Sequence, residues 1–357
     1  MTSQPAAQAA AAQAAAAQVD TGAFITDAWY VAAWPDEVTR APLRRILLNR
    51  PVLLYRRRDG VAVALADRCS HRFVPLSLGH IEDDDVVCCY HGLRFGPDGR
   101  CVHNPHGDGA IPRAAHLPAY PLVERFGALW IWLGEGAADP ARIPDFAILG
   151  DRARFASVCG VMHVAANYQL ITDNLLDLSH AQYLHPGLRV ADPVRLRHET
   201  RQEGDTVWSF FWRDEGVGNG LMRLLGWPEG RRGNSRAHMR WDPPSLLLLD
   251  VGMSPLEGDD APGIDAPSAH LLTPETATTT HYFWSFMRNT GRDDTALDAR
   301  IRALGVQAFA GEDKPVIEAQ QDNLRGADIM AMNPVLLAPD AAGTRARRII
   351  AARLAAG

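Results

Sequence analysis

The chain has 357 residues, of which 47% are hydrophobic, and this length allows two domains with separate buried cores. Its 42 acidic and 36 basic residues give a formal net charge of −6, which excludes the basic surface typical of nucleic-acid binding or of membrane association. The sequence contains no apolar run of roughly 18 residues, the length that a membrane-spanning helix needs. We therefore expect small molecules and proteins as partners.

The chain begins with an Ala/Gln-rich segment over residues 1–23, which has neither a basic region nor an apolar core of signal type and is predicted to be a disordered tail. Residues 24–135 then show short apolar runs separated by turn signals, such as Asp59-Gly60 and Pro97-Asp98-Gly99. Such a pattern is typical of short strands joined by hairpins. It predicts an all-β N-terminal domain.

Residues 136–340 differ from this pattern and are predicted to form a second domain. After a Pro/Ala/Gly-rich linker, residues 163–186 and 294–325 favour helices. The predicted strands between them cover 206–213, 236–241, 245–253 and 278–287. Strands bracketed by helices, without regular βαβ alternation, indicate an α+β domain built on an antiparallel sheet with long helices. Residues 341–357 are expected to form a C-terminal tail.

Two boxes in the N-terminal domain pair a cysteine with a histidine: Cys69 with His71, and Cys88 with His91. A Rieske-type [2Fe–2S] cluster needs this ligand set, because two thiolates bind one iron and two imidazoles bind the other. A Cys2His2 zinc site remains an alternative, although zinc modules usually pair like ligands at short spacing. Five cysteines among 357 residues do not suggest a secreted disulfide framework, so a reducing cytoplasm fits best.

Both boxes resemble those of Rieske proteins beyond the four ligands, since Pro75 and Gly79 follow the first box and Gly92 and Phe95 follow the second. Respiratory Rieske proteins carry a cysteine where Tyr90 stands here. The boxes are therefore similar to the oxygenase or ferredoxin type, and this similarity makes Cys89 and Cys101 bystanders.

A second group of chemically active side chains lies within twelve residues: Asn174, Asp177, His180 and His185. Two neutral imidazoles and one carboxylate form the facial triad that non-haem Fe(II) uses, with coordination positions left open. A spacing of five between the histidines does not suit a straight helix, so we expect a local distortion near residues 181–185. Taken alone, such a pair on a half-apolar helix is more often structural than metal-binding.

The motif Asp-x2-His-x4-His, with its preceding Asn, resembles the iron motif of Rieske non-haem iron oxygenases. The third iron ligand should be a carboxylate far downstream, and the segment FAGEDKPVIEAQQ offers Glu312, Asp313, Glu318 and Asp322. Oxygenases of the vanillate O-demethylase type carry a similar Glu-Asp-Lys segment in which the Asp binds iron. The resemblance therefore assigns the third ligand to Asp313.

The resemblance also implies how such a protein works. The Asp that matches Asp177 bridges one subunit's iron site to the cluster histidine, here His91, of a neighbouring subunit, which implies a homotrimer. A separate NAD(P)H-dependent reductase, with flavin and a ferredoxin-type [2Fe–2S] cluster, would supply electrons, because the sequence has no dinucleotide-binding fingerprint. We expect O2-dependent hydroxylation of a methyl or methoxy group of an aromatic, acidic compound, as in O-demethylation.

Substrate contacts are the least defined part of the sequence-based prediction. His270 resembles a pocket-facing histidine of demethylases, whereas His281, Trp284 and Phe286 are typical of strand residues that pack in a core. The arginines that could bind an acidic group are Arg195, Arg197, Arg223 and Arg240. Aromatic ring hydroxylation, or electron transfer by a non-catalytic Rieske protein, are the alternative functions.

Overall fold

The computed structural model describes residues 24–189 and 196–356 of the protein. The tail predicted over residues 1–23 and the candidate substrate residue Arg195 lie outside the described residues. Ten short strands come first in the chain: β1 Trp29–Ala33, β2 Leu43–Leu47, β3 Arg50–Arg56, β4 Ala62–Ala66, β5 His80–Glu82, β6 Asp85–Val87, β7 Arg94–Phe95, β8 Cys101–His103, β9 Leu122–Arg125 and β10 Ala128–Trp132.

These ten strands form three small antiparallel sheets, with the orders β1-β10-β9, β2-β3-β4 and β5-β6-β7-β8. The expected all-β N-terminal domain is confirmed. Cys69 and Cys88 belong to a buried cluster that also contains Leu76 and Phe95. The two cysteine boxes are thus anchored on a small apolar core of this domain.

The second part of the described chain is dominated by a larger antiparallel sheet of eight strands, with the order β11-β18-β17-β15-β14-β13-β12 and with β16 paired to β15. Its strands are β11 Ala156–Val164, β12 Leu196–Glu203, β13 Thr206–Val217, β14 Arg232–Asp242, β15 Leu246–Ser254, β16 Ile264–Asp265, β17 Ser268–Thr276 and β18 Thr279–Arg288. The antiparallel α+β domain is confirmed, and β11, β12, β16 and β17 lie outside the strands that the sequence pattern predicts.

Helices pack against this sheet. They are α1 Tyr168–Leu176, α2 Ala181–Leu184, α3 Gly220–Leu224, α4 Thr295–Val306, α5 Lys314–Leu324 and α6 Ala341–Ala356, and a π-helix over Gln307–Asp313 joins α4 to α5. The helix predicted over 294–325 is therefore present but changes its hydrogen-bonding pattern in the middle. The prediction of one helix over 163–186 is wrong at both ends, because residues up to Val164 belong to β11 and α1 stops at Leu176.

The expected C-terminal tail is also corrected, because residues 341–356 form α6. This helix buries Ala342, Ala346 and Ile350 in the same core as α1. Arg347 adds a bidentate ion pair with Asp173 of α1, at 2.9 Å from Nε and 2.6 Å from Nη2 to Oδ2. The sequence pattern did not reveal the helix because its apolar residues are mostly small alanines.

Candidate active site

The two cysteine boxes adopt matching backbone conformations. In the first box, the N–H of Cys69 donates to the carbonyl of Val74, and in the second the N–H of Cys88 donates to that of Leu93, both at 2.9 Å. The residue four positions after each cysteine has a positive φ, 59° at Phe73 and 71° at Gly92. Each box is therefore a tight loop that returns to its own cysteine, and the two loops present their ligand atoms in a similar way.

The cysteine and histidine side chains of the two boxes differ in their exposure to solvent. Cys69 and Cys88 are buried, whereas His71 is exposed and His91 is half-buried, with ring centroids 4.5 Å apart. Burial raises the pKa of the Cys69 thiol to about 11, so this thiol ionises near neutral pH only with a cation beside it. Two inner sulfurs and two outer imidazoles match the donor set of a Rieske cluster, whose iron would hold the thiolates ionised.

Large apolar side chains of the two box segments are exposed at the surface of the molecule. The exposed fractions are 53% for Phe73, 67% for Leu78 and 59% for Tyr90, and the Tyr90 ring centroid lies 4.0 Å from that of His91. The ring of His106 makes a 2.8 Å hydrogen bond to the carbonyl of His91. The face that carries the histidines is thus more apolar than an ordinary solvated surface.

The second group converges on one point between α1 and α5. His180 Nε2 lies 3.3 Å from His185 Nε2 and 3.4 Å from Asp313 Oδ1, and Asp313 Oδ2 lies 3.4 Å from His185 Nε2. Two ligand atoms about 2.1 Å from one metal ion and at right angles to each other are about 3 Å apart. The three side chains, all within 4.8 Å of one another, could therefore hold one metal ion.

Breaks in regular helix bring these side chains together. At the end of α1, Asp177 leaves the helical region with φ −102° and ψ 87°, and His185 does so at the end of α2 with φ −106° and ψ 95°. A 3₁₀ turn over Leu178–His180 lies between α1 and α2. The expected distortion is present, but it begins at residue 177, four residues before the predicted region.

Asp313 is the last residue of the π-helix and is buried in the described structure. A π-turn widens the helix and displaces the residues that follow it, which is a recurrent feature of functional sites. The competing carboxylates do not enter the group of three. Glu318 accepts a hydrogen bond from the N–H of Ala165 at 2.7 Å, and Asp322 is exposed.

A second layer of hydrogen bonds fixes the three side chains. Glu312 Oε2 lies 2.7 Å from His185 Nδ1, the carbonyl of Asp177 contacts His180 Nδ1, and Asn174 Nδ2 donates to Asp313 Oδ1 at 3.1 Å. Partners of this kind set the tautomer and orientation of metal-binding imidazoles. Sequence analysis considered Glu312 only as a competing iron ligand, and the signal that could have identified its role as a partner of His185 is its position next to Asp313.

The electrostatics of the triad also fit a metal ion. Burial alone would raise the pKa of Asp313, but His180 and His185 outweigh it and hold that pKa at about 2. Oδ2 of Asp313 is nevertheless a buried oxygen that accepts no hydrogen bond within the described chain. A buried anionic oxygen without a donor is costly. A cation between the three side chains would remove this cost.

An apolar cavity of about 280 Å³ adjoins this site. Its walls come from Leu178, Ser179, Ala181 and Gln182 around His180, from Gly305, Ala308 and Phe309 before Asp313, and from strands of the large sheet. The segments that carry the triad therefore also form one side of the cavity. Pockets of this size and character accommodate small, mainly apolar ligands.

Three of the arginines predicted as substrate contacts lie within the described residues, and they do not line this cavity. Arg197 pairs with Asp214, Arg223 donates to the carbonyl of Gly218, and Arg240 pairs with Asp242. The described arginines that do line it are Arg213 and Arg236. Asp250 at 2.8 Å and Asp265 at 2.6 Å both bind the guanidinium of Arg236, so two carboxylates already balance its charge.

His270 lies behind the cavity wall rather than in it. It is fully buried, with Nε2 2.9 Å from Ser268 Oγ and Nδ1 2.6 Å from the hydroxyl of Tyr282. Both ring nitrogens, which a direct contact with the substrate would need, are thus engaged in hydrogen bonds within the protein. Of the three aromatic side chains predicted to pack in the core, Trp284 is buried, His281 bonds the carbonyl of Ile46, and only Phe286 lines the cavity.

Asp177 is half-buried at the end of α1. Its Oδ1 accepts a 2.9 Å hydrogen bond from the N–H of Ser179, so it caps the 3₁₀ turn that leads to His180. Asp177 therefore contacts Ser179 through its side chain and His180 through its carbonyl. Its side chain remains partly accessible to solvent.

Comparisons with known proteins agree with this arrangement. The model of the Rieske [2Fe–2S] domain matches residues 28–121, and that of the vanillate O-demethylase oxygenase C-terminal domain matches residues 164–356. Within the described residues, no helix is long and apolar enough to cross a membrane.

The chain is 39% identical to the oxygenase component of dicamba O-demethylase from Stenotrophomonas maltophilia, over 88% of this chain and 94% of that protein. It is 34% identical to the vanillate O-demethylase oxygenase subunit of Pseudomonas sp. strain HR199, over 90% and 92%. A crystal structure of dicamba monooxygenase with non-heme iron and dicamba superposes with a TM-score of 0.83 at 36% identity, covering 94% of this chain and 98% of that one. The protein therefore belongs to the Rieske non-haem iron oxygenases, as an oxygenase component of the vanillate O-demethylase family.

Proposed function

We propose that this chain is the oxygenase component of a multicomponent monooxygenase that hydroxylates a methyl or methoxy group of an aromatic compound, as in O-demethylation. The observation that carries the proposal is a convergent His180, His185 and Asp313 triad beside an apolar cavity, in a chain that also carries the paired cysteine and histidine boxes. Similar relatives are named as demethylases of dicamba and vanillate.

In this proposal Cys69, Cys88, His71 and His91 hold the [2Fe–2S] cluster, and the triad holds one mononuclear iron. When bound, the cluster supplies single electrons and the iron supplies oxygen activation. The protein's own contribution is positioning. Glu312 and the carbonyl of Asp177 keep each imidazole with its Nε2 facing the metal position.

The cavity orients the substrate by shape. Phe286 and Phe309 stack with ring centroids 5.5 Å apart and an interplanar angle of 12°, and both line the cavity. An aromatic ring that packs against these flat walls excludes water from the triad. A hydroxylated O-methyl group is a hemiacetal, which then breaks down to formaldehyde and a phenol without further help from the protein.

Electron delivery needs partners. A reductase with flavin and a ferredoxin-type cluster would pass NAD(P)H electrons to the boxes, and Asp177 would connect this iron site to His91 of a neighbouring copy in a homotrimer. The half-buried carboxylate of Asp177 and the apolar surface around His91 support this assignment. The cytoplasmic location expected from the cysteine pattern stays a prediction.

The proposal is tested by supplying a reductase and screening methoxylated and methylated aromatic compounds for O2 consumption and formaldehyde release. One formaldehyde per O2 consumed is the expected result for O-demethylation, whereas a hydroxylated ring without formaldehyde would show ring hydroxylation instead. His180→Ala is the matched control, because it should abolish turnover and keep the cluster absorption spectrum. Full activity of His180→Ala would identify a pure electron carrier.

A further inference from the structure

A buried chain of three hydrogen-bonding side chains runs from the cavity wall into the sheet. Ser268 Oγ lies 2.9 Å from His270 Nε2, and His270 Nδ1 lies 2.6 Å from the Tyr282 hydroxyl. The exposed fractions of Ser268, His270 and Tyr282 are 3%, 0% and 3%. These groups are not metal ligands, and no step described so far uses them.

Only the first member of this chain reaches the cavity. Ser268 lines it, as do its strand partners Leu249 and Phe286, whereas His270 and Tyr282 lie behind the wall formed by Phe309. In this largely apolar part of the cavity wall, the hydroxyl of Ser268 is a polar group that a ligand can contact. Whether this hydroxyl donates or accepts a hydrogen bond therefore determines which ligand group it can bind.

The protonation states of the two inner groups are defined by burial. Burial lowers the pKa of His270 to about 3, so the imidazole is neutral at physiological pH. Burial raises the pKa of Tyr282 well above its ordinary value, so the phenol keeps its proton. A neutral imidazole has one N–H donor and one acceptor nitrogen, and the chain must therefore run in one of two directions.

The hydroxyl of Tyr282 determines which of the two hydrogen-bonding directions is present. Within the described residues, His270 Nδ1 is the only hydrogen-bond partner of the Tyr282 hydroxyl. If Nδ1 carried the proton, the buried phenol hydrogen would have no acceptor, which is an unfavourable arrangement for a buried donor. Tyr282 therefore donates to Nδ1, and Nε2 carries the imidazole proton and donates to Ser268 Oγ. The hydroxyl hydrogen of Ser268 then points away from His270.

We propose that Ser268 is a specificity-determining donor that recognises an acceptor oxygen of the aromatic substrate, such as a carbonyl or carboxylate oxygen. His270 and Tyr282 are positioning residues, because they make Ser268 a donor toward the cavity without touching the ligand. This inference rests on the proposed function insofar as the cavity binds an aromatic substrate. The sequence suggested that His270 contacts the substrate directly. In this proposal Ser268, which lies between His270 and the cavity, makes the contact instead.

The test compares binding of two neutral, nearly isosteric probe sets to the metal-loaded protein under anaerobic conditions. The ortho, meta and para isomers of methoxyacetophenone carry a carbonyl acceptor oxygen, whereas those of isopropylanisole share the methoxy oxygen but lack the carbonyl. Isothermal titration calorimetry should show that the best ketone binds more tightly than its alkyl counterpart. Ser268→Ala should weaken ketone binding about 2- to 12-fold, the value of one hydrogen bond, and leave alkyl binding unchanged.

Two further variants keep the test decisive. Tyr282→Phe removes the phenol donor, so His270 can place its proton on Nδ1 and accept from Ser268, and the ketone preference should fall although the cavity lining is intact. Ser285→Ala, a buried hydroxyl in β18 outside the cavity lining, should leave the preference unchanged.

The inference is overturned if the wild-type protein shows no ketone preference, or if Ser268→Ala or Tyr282→Phe leaves that preference intact. Because binding is measured without turnover, it is independent of the reaction type. Absence of formaldehyde together with a Ser268-dependent ketone preference would refute demethylation and leave this recognition in place.

Discussion

Replacing Glu312 tests how far the iron site depends on its second layer. Its carboxylate lies 2.7 Å from His185 Nδ1, and the exposed side-chain fractions are 19% for Glu312 and 5% for His185. Water therefore screens this contact weakly. A hydrogen bond to a charged group contributes about 1.5–3 kcal/mol to stability. The corresponding hydrogen bond between neutral groups contributes about half of that.

Glu312→Gln keeps an acceptor oxygen but loses the charge, so we expect Fe(II) affinity to fall about 10-fold or somewhat less. Glu312→Ala removes both, and its affinity should fall about 100-fold, the upper range for outer partners of metal-binding histidines. The measurement is anaerobic competition for Fe(II) between the protein and a ferrous chelator. Asp322→Asn, which removes an exposed carboxylate from the following helix α5, is the control.

The graded order is the informative result. Fe(II) affinities of both Glu312 variants within about twofold of the Asp322→Asn control would refute the reasoning, because the contact would then contribute nothing to metal binding. Cluster absorption should stay unchanged in all three variants, since Glu312 belongs to the second domain. A loss of cluster absorption would indicate general misfolding instead of a local effect.

Three other outcomes follow from the geometry. Asp177→Asn should keep both metals, because Asn retains the capping oxygen, yet lose most electron transfer to the iron; normal rapid-quench turnover of the pre-reduced protein would contradict the bridging role. Gly305→Ala should lower the free energy of unfolding by about 1–3 kcal/mol, since its Cβ would lie 2.1 Å from Phe286, whereas Gly150→Ala, with open space around it, should match the wild type in urea denaturation. Although burial lowers the pKa of His185, Asp313 and Glu312 raise it above its ordinary value. In the metal-free protein the stabilisation from this proton is present at low pH and lost as the pH rises through the raised pKa, and iron binding requires its release. The difference in Tm between iron-loaded and metal-free protein should therefore widen from about pH 5.5 to about pH 8; a constant difference would exclude the linkage.

The fold class and the two cysteine–histidine boxes could be predicted from the sequence because they rest on local patterns. His180, His185 and Asp313 meet in space although Asp313 lies far along the chain, and only the family resemblance, not spacing, selected it from its neighbours. Strands with clear alternation were found, such as β13. The missed strands lack this signal: β12 is polar and mostly exposed at the edge of the sheet, and β17 is buried almost throughout.

Features that depend on tertiary packing were not predicted. The end of α1 at Asp177 and the burial of α6 against α1 follow from contacts between distant segments, such as the Arg347 ion pair with Asp173. The same holds for the cavity lining. Arg197, Arg223 and Arg240 were candidates by charge alone, but in the folded protein each guanidinium binds a neighbouring carboxylate or carbonyl group.

The π-helix that ends at Asp313 makes the iron site sensitive to the number of residues as well as to their identity. A π-turn contains one residue more than the α-turn it replaces. If the same number of residues were wound as a regular α-helix, Asp313 would turn by about 100° about the helix axis. The carboxylate would then leave the two histidines even though every ligand was still present in the sequence, so the triad requires either this π-turn or a segment one residue shorter.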